Sequence, residues 1–202
     1  MKKCYLFLML LLISSLVKAQ KKNSLELGLN LGFNNSYLQI GQNSYNTTDV
    51  LYALNFGLSS EYYFSHNWGL KVKAIYDQKG WGNGSIDING TQYDGIDYKL
   101  NYLTIPIMAN WHFGYYNQYY LSFGFYEGIL LNATAANIDV KDQFNLEDKG
   151  VAIDFGFKLP IARHSAFFVE FEGQSSFLDV YNYHIGDDYL MQRASLNIGV
   201  NF

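Results

Sequence analysis

The sequence predicts an all-β fold, an eight-stranded antiparallel transmembrane β-barrel with short periplasmic turns and longer extracellular loops. Three observations predict it. The 202 residues are 49% hydrophobic and 18% aromatic, with 18 glycines and 2 prolines, yet no long apolar run follows the first twenty residues. The apolar side chains must therefore be spread by alternation, which is the period of a strand and not of a helix. Eight segments alternate in this way, and the connections between them alternate short and long, as in bacterial outer-membrane barrels.

The first segment, Ser24 to Phe33, sets Leu25, Leu27, Leu29, Leu31 and Phe33 against Glu26, Gly28, Asn30 and Gly32. The second, Val50 to Tyr63, opposes Tyr52, Leu54, Phe56, Leu58 and Tyr62 to Ala53, Asn55, Gly57, Ser59 and Glu61. The third runs from Gly69 to Lys79, with Leu70, Val72, Ala74 and Tyr76 opposite Lys71, Lys73, Ile75, Asp77 and Lys79. The fourth, Lys99 to Trp111, carries Leu103, Ile105, Ile107, Ala109 and Trp111 on its apolar parity. The fifth is Tyr119 to Leu131, the sixth Gly150 to Leu159, the seventh Ala166 to Phe177 and the eighth Arg193 to Phe202, each with the same period. Such lengths suit a tilted bilayer crossing, which needs roughly 9–11 residues.

The connections at Phe64 to Trp68, His112 to Gln118 and Pro160 to Ser165 are short. Those at Asn34 to Asp49, Gly80 to Tyr98, Asn132 to Lys149 and Asp179 to Tyr189 are long. Parity alone does not say which face is outside, because a soluble lipocalin-like barrel would turn the apolar parity inward. The membrane version is favoured by small residues on the polar parity, which suit a narrow lumen. It is also favoured by aromatics at the strand ends: Tyr62, Phe64, Trp68, Trp111, Phe113, Tyr115, Tyr116 and Tyr119 on the short-turn side, and Tyr76, Trp81, Tyr98, Tyr102, Tyr181 and Tyr183 on the other. Two aromatic girdles are the expected pattern at membrane interfaces. The eighth segment must pair with the first to remove both sheet edges.

Residues 1–19 read as a secretory signal peptide, leaving 20–202 as one barrel domain. Lys2 and Lys3 form a basic start, an apolar run follows, and Val17-Lys18-Ala19 precedes Gln20. Losing Lys2, Lys3 and Lys18 leaves 11 of the 14 basic residues against 18 acidic ones, a net charge of −7. The only cysteine, Cys4, leaves with the same segment, so disulfide chemistry is not expected. An acidic chain argues against nucleic acid as a partner.

On these residues the chain resembles the PorT-like small outer-membrane β-barrel proteins of the Bacteroidetes, related in architecture to OmpA/OmpX-type barrels. The resemblance is carried by Tyr102-Leu103-Thr104-Ile105-Pro106-Ile107, Ala152-Ile153-Asp154-Phe155-Gly156 and Asn197-Ile198-Gly199-Val200-Asn201-Phe202. Ser175-Ser176-Phe177-Leu178-Asp179 departs from it where a glycine–leucine pair is usual. The resemblance implies an outer-membrane location and the barrel-insertion machinery as a partner, with Phe202 as the insertion signal. It also suggests service in an envelope assembly or secretion complex.

The polar parity carries the acids Glu26, Glu61, Asp77, Asp154, Glu170 and Glu172 and the bases Lys71, Lys73, Lys79, Lys158 and Arg193. Inside a low-dielectric tube such charges are costly unless paired, so a lumenal salt-bridge network that plugs the barrel is expected, with Arg193 facing inward near Glu26. Pro106 cannot donate a ladder hydrogen bond and predicts a bulge or a break in pairing on the lumenal side. His66, His112 and His164 fall in short turns and are expected to be solvated. Asn89-Gly90 and its neighbours suggest a small hairpin above the membrane. The long loops are acidic, from Asp49 to Asp188, which suits a solvated surface or cation bridging to lipopolysaccharide. Outer-membrane lipid and lipopolysaccharide are therefore expected surroundings.

No catalytic, cofactor or metal signature emerges. The expected function is a non-enzymatic structural or interaction component of the cell envelope. The alternatives are a lipid-modifying enzyme using His184 with Ser175 or Ser176 and Asp179, and a narrow channel or small apolar-ligand transporter.

Overall fold

The computed structural model describes residues 23–41, 47–162, 165–183 and 186–202. The expected signal peptide, His164 and His184 lie outside the described residues. Among the described residues nine strands follow in order: β1 (Ser24–Ile40), β2 (Asp49–Tyr63), β3 (Trp68–Ile88), β4 (Thr91–Phe113), β5 (Tyr119–Ala135), β6 (Ile138–Asp139), β7 (Glu147–Ala162), β8 (Ser165–Asp179) and β9 (Tyr189–Asn201). All except the two-residue β6 form a closed ring of eight antiparallel strands, each paired to its sequence neighbour, with β1 pairing β9 from Gly28↔Asn201 to Ile40↔Tyr189. The last residue finishes that seam. Phe202 N–H donates to the Leu27 carbonyl at 2.8 Å, and Leu27 N–H donates back at 3.2 Å.

The register fixes the stagger. Following paired residues around the ring leads from Glu26 to Glu61, Lys71, Met108, Gly124, Ala152, Gln174, Arg193 and back to β1 at Ser36, ten residues further on. A closed sheet with such stagger has strands tilted by roughly 35–45° and a lumen just wide enough for side chains to fill. The faces are inverted relative to a soluble barrel. Leu54 and Phe125 are 71% and 68% exposed, whereas Asp77, Lys79 and Asp154 are 0% exposed in the interior. The apolar parity therefore faces outward as a belt, and the lipocalin-like alternative is excluded.

The strands run further than the alternation indicated. β1 extends to Ile40, and the predicted long loop Gly80 to Tyr98 is mostly the β3–β4 hairpin, closed by the two-residue turn Asn89-Gly90. Both turn residues have positive φ, 55° and 82°, the geometry of a tight hairpin turn. The in–out alternation is interrupted at Gly80, with Lys79 to Gly82 all buried. Gly80 has φ 148°, and the β3–β4 ladder slips between Trp81 and Gly84. Pro106 is buried on the lumenal side, and the β3–β4 ladder breaks between Val72↔Ile107 and Ile75↔Thr104 without changing register. It makes a break and not a bulge.

Only one of the two expected girdles forms as predicted. Tyr62, Phe64, Trp111, Tyr115, Tyr116 and Tyr119 are exposed around the short-turn end. At the other end Tyr76 and Tyr183 are exposed, but Trp81, Tyr98 and Tyr102 are buried. Their parity explains the difference, since Trp81 follows Lys79 and Asp77 on the lumenal side of β3. Trp81 stacks on Tyr98 at 4.7 Å between ring centres, and both meet Phe144 edge-on. With Leu38, Leu100, Val140 and Met191 they form an apolar cap inside the long-loop end.

Small residues make room for this interior. A Cβ on Gly156 would stand 2.1 Å from the Tyr120 ring, whereas on Gly173 it would meet nothing nearer than 3.5 Å. Gly156→Ala is therefore expected to cost on the order of 1–3 kcal/mol by overpacking. Gly173→Ala should change stability little. The temperature at which the folded gel band shifts to unfolded mobility measures both. Equal midpoints would refute the packing role of Gly156.

Candidate functional site

The sequence-predicted charges meet in the lumen. Lys73, on β3, reaches across to β7 and β8. Its ammonium lies 2.8 Å from Asp154, 2.5 Å from Glu170 and 2.7 Å from Glu172. Lys71, two residues below on the same face, pairs with Glu170 and lies 3.5 Å from Asp154. Arg193 of β9 bonds Asp77 at 3.0 Å through Nε and Glu172 at 2.6 Å through Nη1. Arg193 is thus inward as expected, but its partners are Asp77 and Glu172 and not Glu26. The ten-residue stagger separates Ser36, its neighbour on β1, from Glu26. Glu26 lies toward the turn end with Lys158, whose Nζ bonds Glu26 and lies 3.3 Å from Glu61.

Lys79 joins the network as its parity predicts, and Asp148 and His112 join it from outside the sequence-derived set. Lys79 donates to Asp148 and to Gln174, each at 2.8 Å, and sits 4.5 Å from the Tyr126 ring centre. Asp148, counted among the loop acids, lies on β7 at the parity of Gly150 and Asp154. Extending that strand by one pair of residues would have found it. His112, expected in a solvated turn, is buried on β4 with Nε2 2.6 Å from Glu61. It shares the even parity of Met108 and Asn110, and that parity was its signal. His66 is exposed, as its turn predicts.

Uncharged groups complete the shell. Tyr120 donates to Glu170 at 2.9 Å, Asn110 to Glu61 at 2.8 Å, Asn34 to Asp77 at 2.9 Å and Asn55 to the Ser195 hydroxyl at 2.9 Å. Each ties strands that are not ring neighbours. Buried charge is tolerable only with such partners, because losing water costs several kcal/mol per ion. Asp154, Glu170 and Glu172 bring carboxylate oxygens within 4.8 Å of one another, a spacing that also suits a cation. Here the Lys73 ammonium lies among them.

Above this layer, in the apolar cap, burial pushes the Tyr181 hydroxyl above the ordinary tyrosine range, with Tyr98 and Tyr189 adding to the effect. The proposed enzyme constellation is only partly visible. Ser176 is buried and donates to the Leu178 carbonyl at 3.0 Å, which places its hydroxyl in a local turn. Ser175 faces outward on the other parity.

Lys73→Met leaves three buried carboxylates without their shared cation. The expected loss is about 3–5 kcal/mol in urea unfolding of the folded barrel. Adding Asp154→Asn should restore part of that loss. Unchanged unfolding of the single variant would contradict the central place given to Lys73.

The sequence matches the family of the outer membrane protein beta-barrel domain over residues 18–182. No curated protein matches it. Among solved structures, the chain is similar to the outer membrane protein OprG of Pseudomonas aeruginosa, with TM-score 0.53 at 15% identity, covering 91% of this chain and 98% of that one. It is also similar to neisserial surface protein A, with TM-score 0.52 at 12% identity, covering 87% and 95%. Identities this low show a shared fold. The closed eight-strand ring, the outward apolar belt and the family match agree: this chain belongs to the outer membrane protein beta-barrel domain family and resides in the outer membrane.

Proposed function

We propose that the protein is a plugged, non-enzymatic barrel that serves the cell envelope as a structural or interaction component. One observation carries this reading. The lumen is occupied in two layers, by ion pairs through its middle and by the apolar cap at its long-loop end. A barrel filled in this way acts through what it presents outside. The resemblance to PorT-like proteins supports a place beside an envelope assembly or secretion complex. The surroundings proposed for it are outer-membrane lipid and lipopolysaccharide, with Phe202 read by the insertion machinery.

Planar-bilayer recording tests the plug. The wild type is expected to stay closed. Arg193→Ala, which frees Asp77 and Glu172 from their shared guanidinium, is expected to admit brief conducting events. Steady conductance by the wild type would overturn the reading in favour of a channel. Crosslinking in native membranes tests the complex, because a barrel recovered without protein neighbours would remove that part of the proposal. Deleting Phe202 should reduce the inserted fraction in cells more than it lowers the unfolding temperature of the protein that does insert.

A further inference from the structure

The β3–β4 ribbon outlasts the strands on either side of it. The ladder to β2 ends at Asp49↔Gly82 and the ladder to β5 at Tyr98↔Ala135. β5 leaves because Ala136 and Asn137, both at positive φ, turn the chain into β6, which pairs Ala135 from its other side. Thr91 to Asp97 therefore lack a strand neighbour on the β5 side. Among the described residues, no backbone hydrogen bond joins them to anything but β3. All of them except the half-buried Ile96 are exposed. A strand edge of this kind turns alternate N–H and C=O groups outward, ready to pair with another extended chain.

The two faces of the ribbon differ. Ile86, Ile88 and Ile96 lean onto the apolar cap, and Tyr93, opposite Ile86 in register, shares their face. Gly95, at φ 75°, is an extra residue between the pairs Ser85↔Asp94 and Gly84↔Ile96. That bulge brings Asp94 and Asp97 to one face, the face of Gln92 and Asp87. Residues 82–98 hold these three acids and no base, and Lys99 follows at the foot of the ribbon.

Two copies of this edge do not suit each other. Two-fold pairing of β4 with β4 would set Asp94 and Asp97 against the same acids, and like charges directly opposite are destabilising. A foreign strand that alternates basic and apolar residues suits both faces at once. Its bases lie beside Gln92, Asp94 and Asp97, and its apolar side chains beside Tyr93. We propose that Thr91 to Asp97 is a docking edge for an extended, alternately basic and apolar segment of a partner protein, which adds to β4 as a further strand beyond the membrane belt. The edge gives a partner class to the interaction role proposed above and rests on that role. Conductance reports on the lumen and peptide capture on the edge, so the two readings fail separately.

The test is fluorescence anisotropy with the folded full-length barrel in phosphatidylcholine nanodiscs, with empty nanodiscs as background. The labelled probes are a short peptide alternating lysine and valine, the same peptide N-methylated at every amide, and a peptide alternating glutamate and valine. The lysine peptide is expected to bind about tenfold more tightly than either of the others. The N-methylated probe keeps the charge and loses the donors, and the glutamate probe keeps the donors and reverses the charge. The double variant Asp94→Asn/Asp97→Asn should bind the lysine peptide about tenfold more weakly while keeping heat-modifiable gel mobility, because both side chains are exposed. Equal binding of the lysine peptide and its N-methylated form overturns the proposal and leaves only attraction to an acidic surface. Equal binding of the glutamate peptide overturns it too, as does an affinity that the double variant leaves unchanged.

Discussion

The constraint on which the structure depends is the cost of holding charge inside a narrow tube. Lys73, Asp154, Glu170, Glu172, Asp77 and Arg193 are all almost fully buried. Each would be ruinous alone and is tolerable only in company. The stagger of ten residues brings β3 opposite β7 and β8, so that Lys71, Lys73 and Lys79 face Asp148, Asp154, Glu170 and Glu172 across the lumen. Register, closure and charge pairing thus specify one another. A slip of one residue in any strand would send its charges into the apolar belt and its leucines into the lumen.

The outside of the barrel follows from the same alternation. With the interior satisfied by its own side chains, the belt of leucine, isoleucine and phenylalanine is left to the lipid. The backbone pairs around the full ring, as a lipid-exposed sheet requires. The seam between β1 and β9, finished by the two bonds between Leu27 and Phe202, is what makes that ring complete. The extra length of β3 and β4 carries a ribbon beyond the belt and packs Ile86 into the apolar cap. That cap replaces an outward girdle at the long-loop end.

Much of this was legible in the sequence because a strand has a period of two. The strand count, the closing pair and the inward set Glu26, Glu61, Lys71, Lys73, Asp77, Asp154, Lys158, Glu170, Glu172 and Arg193 follow from parity alone. What parity cannot supply is which charge meets which, since partners on β3 and β8 are about a hundred residues apart and meet only through the stagger. The sequence therefore suggests Glu26 as a neighbour of Arg193, which instead joins Asp77 and Glu172. The buried Trp81, Tyr98 and Tyr102 show a different failure. Their parity pointed inward, but their position near the strand ends suggested an interface. His112 and Asp148 lie at strand ends, where neighbouring turn-like residues make the alternation look finished although the pairing continues in register.

The central claim, that the lumen is filled by bonded side chains, is tested most directly by asking whether a small reagent can enter it. Thr104 is fully buried on the lumenal face of β4, and the only native cysteine is Cys4. A Thr104→Cys barrel folded in a bilayer should resist a small cationic methanethiosulfonate added from either side, and should react once it is unfolded. Rapid labelling of the folded barrel would show a water-filled path through its middle and would contradict the account.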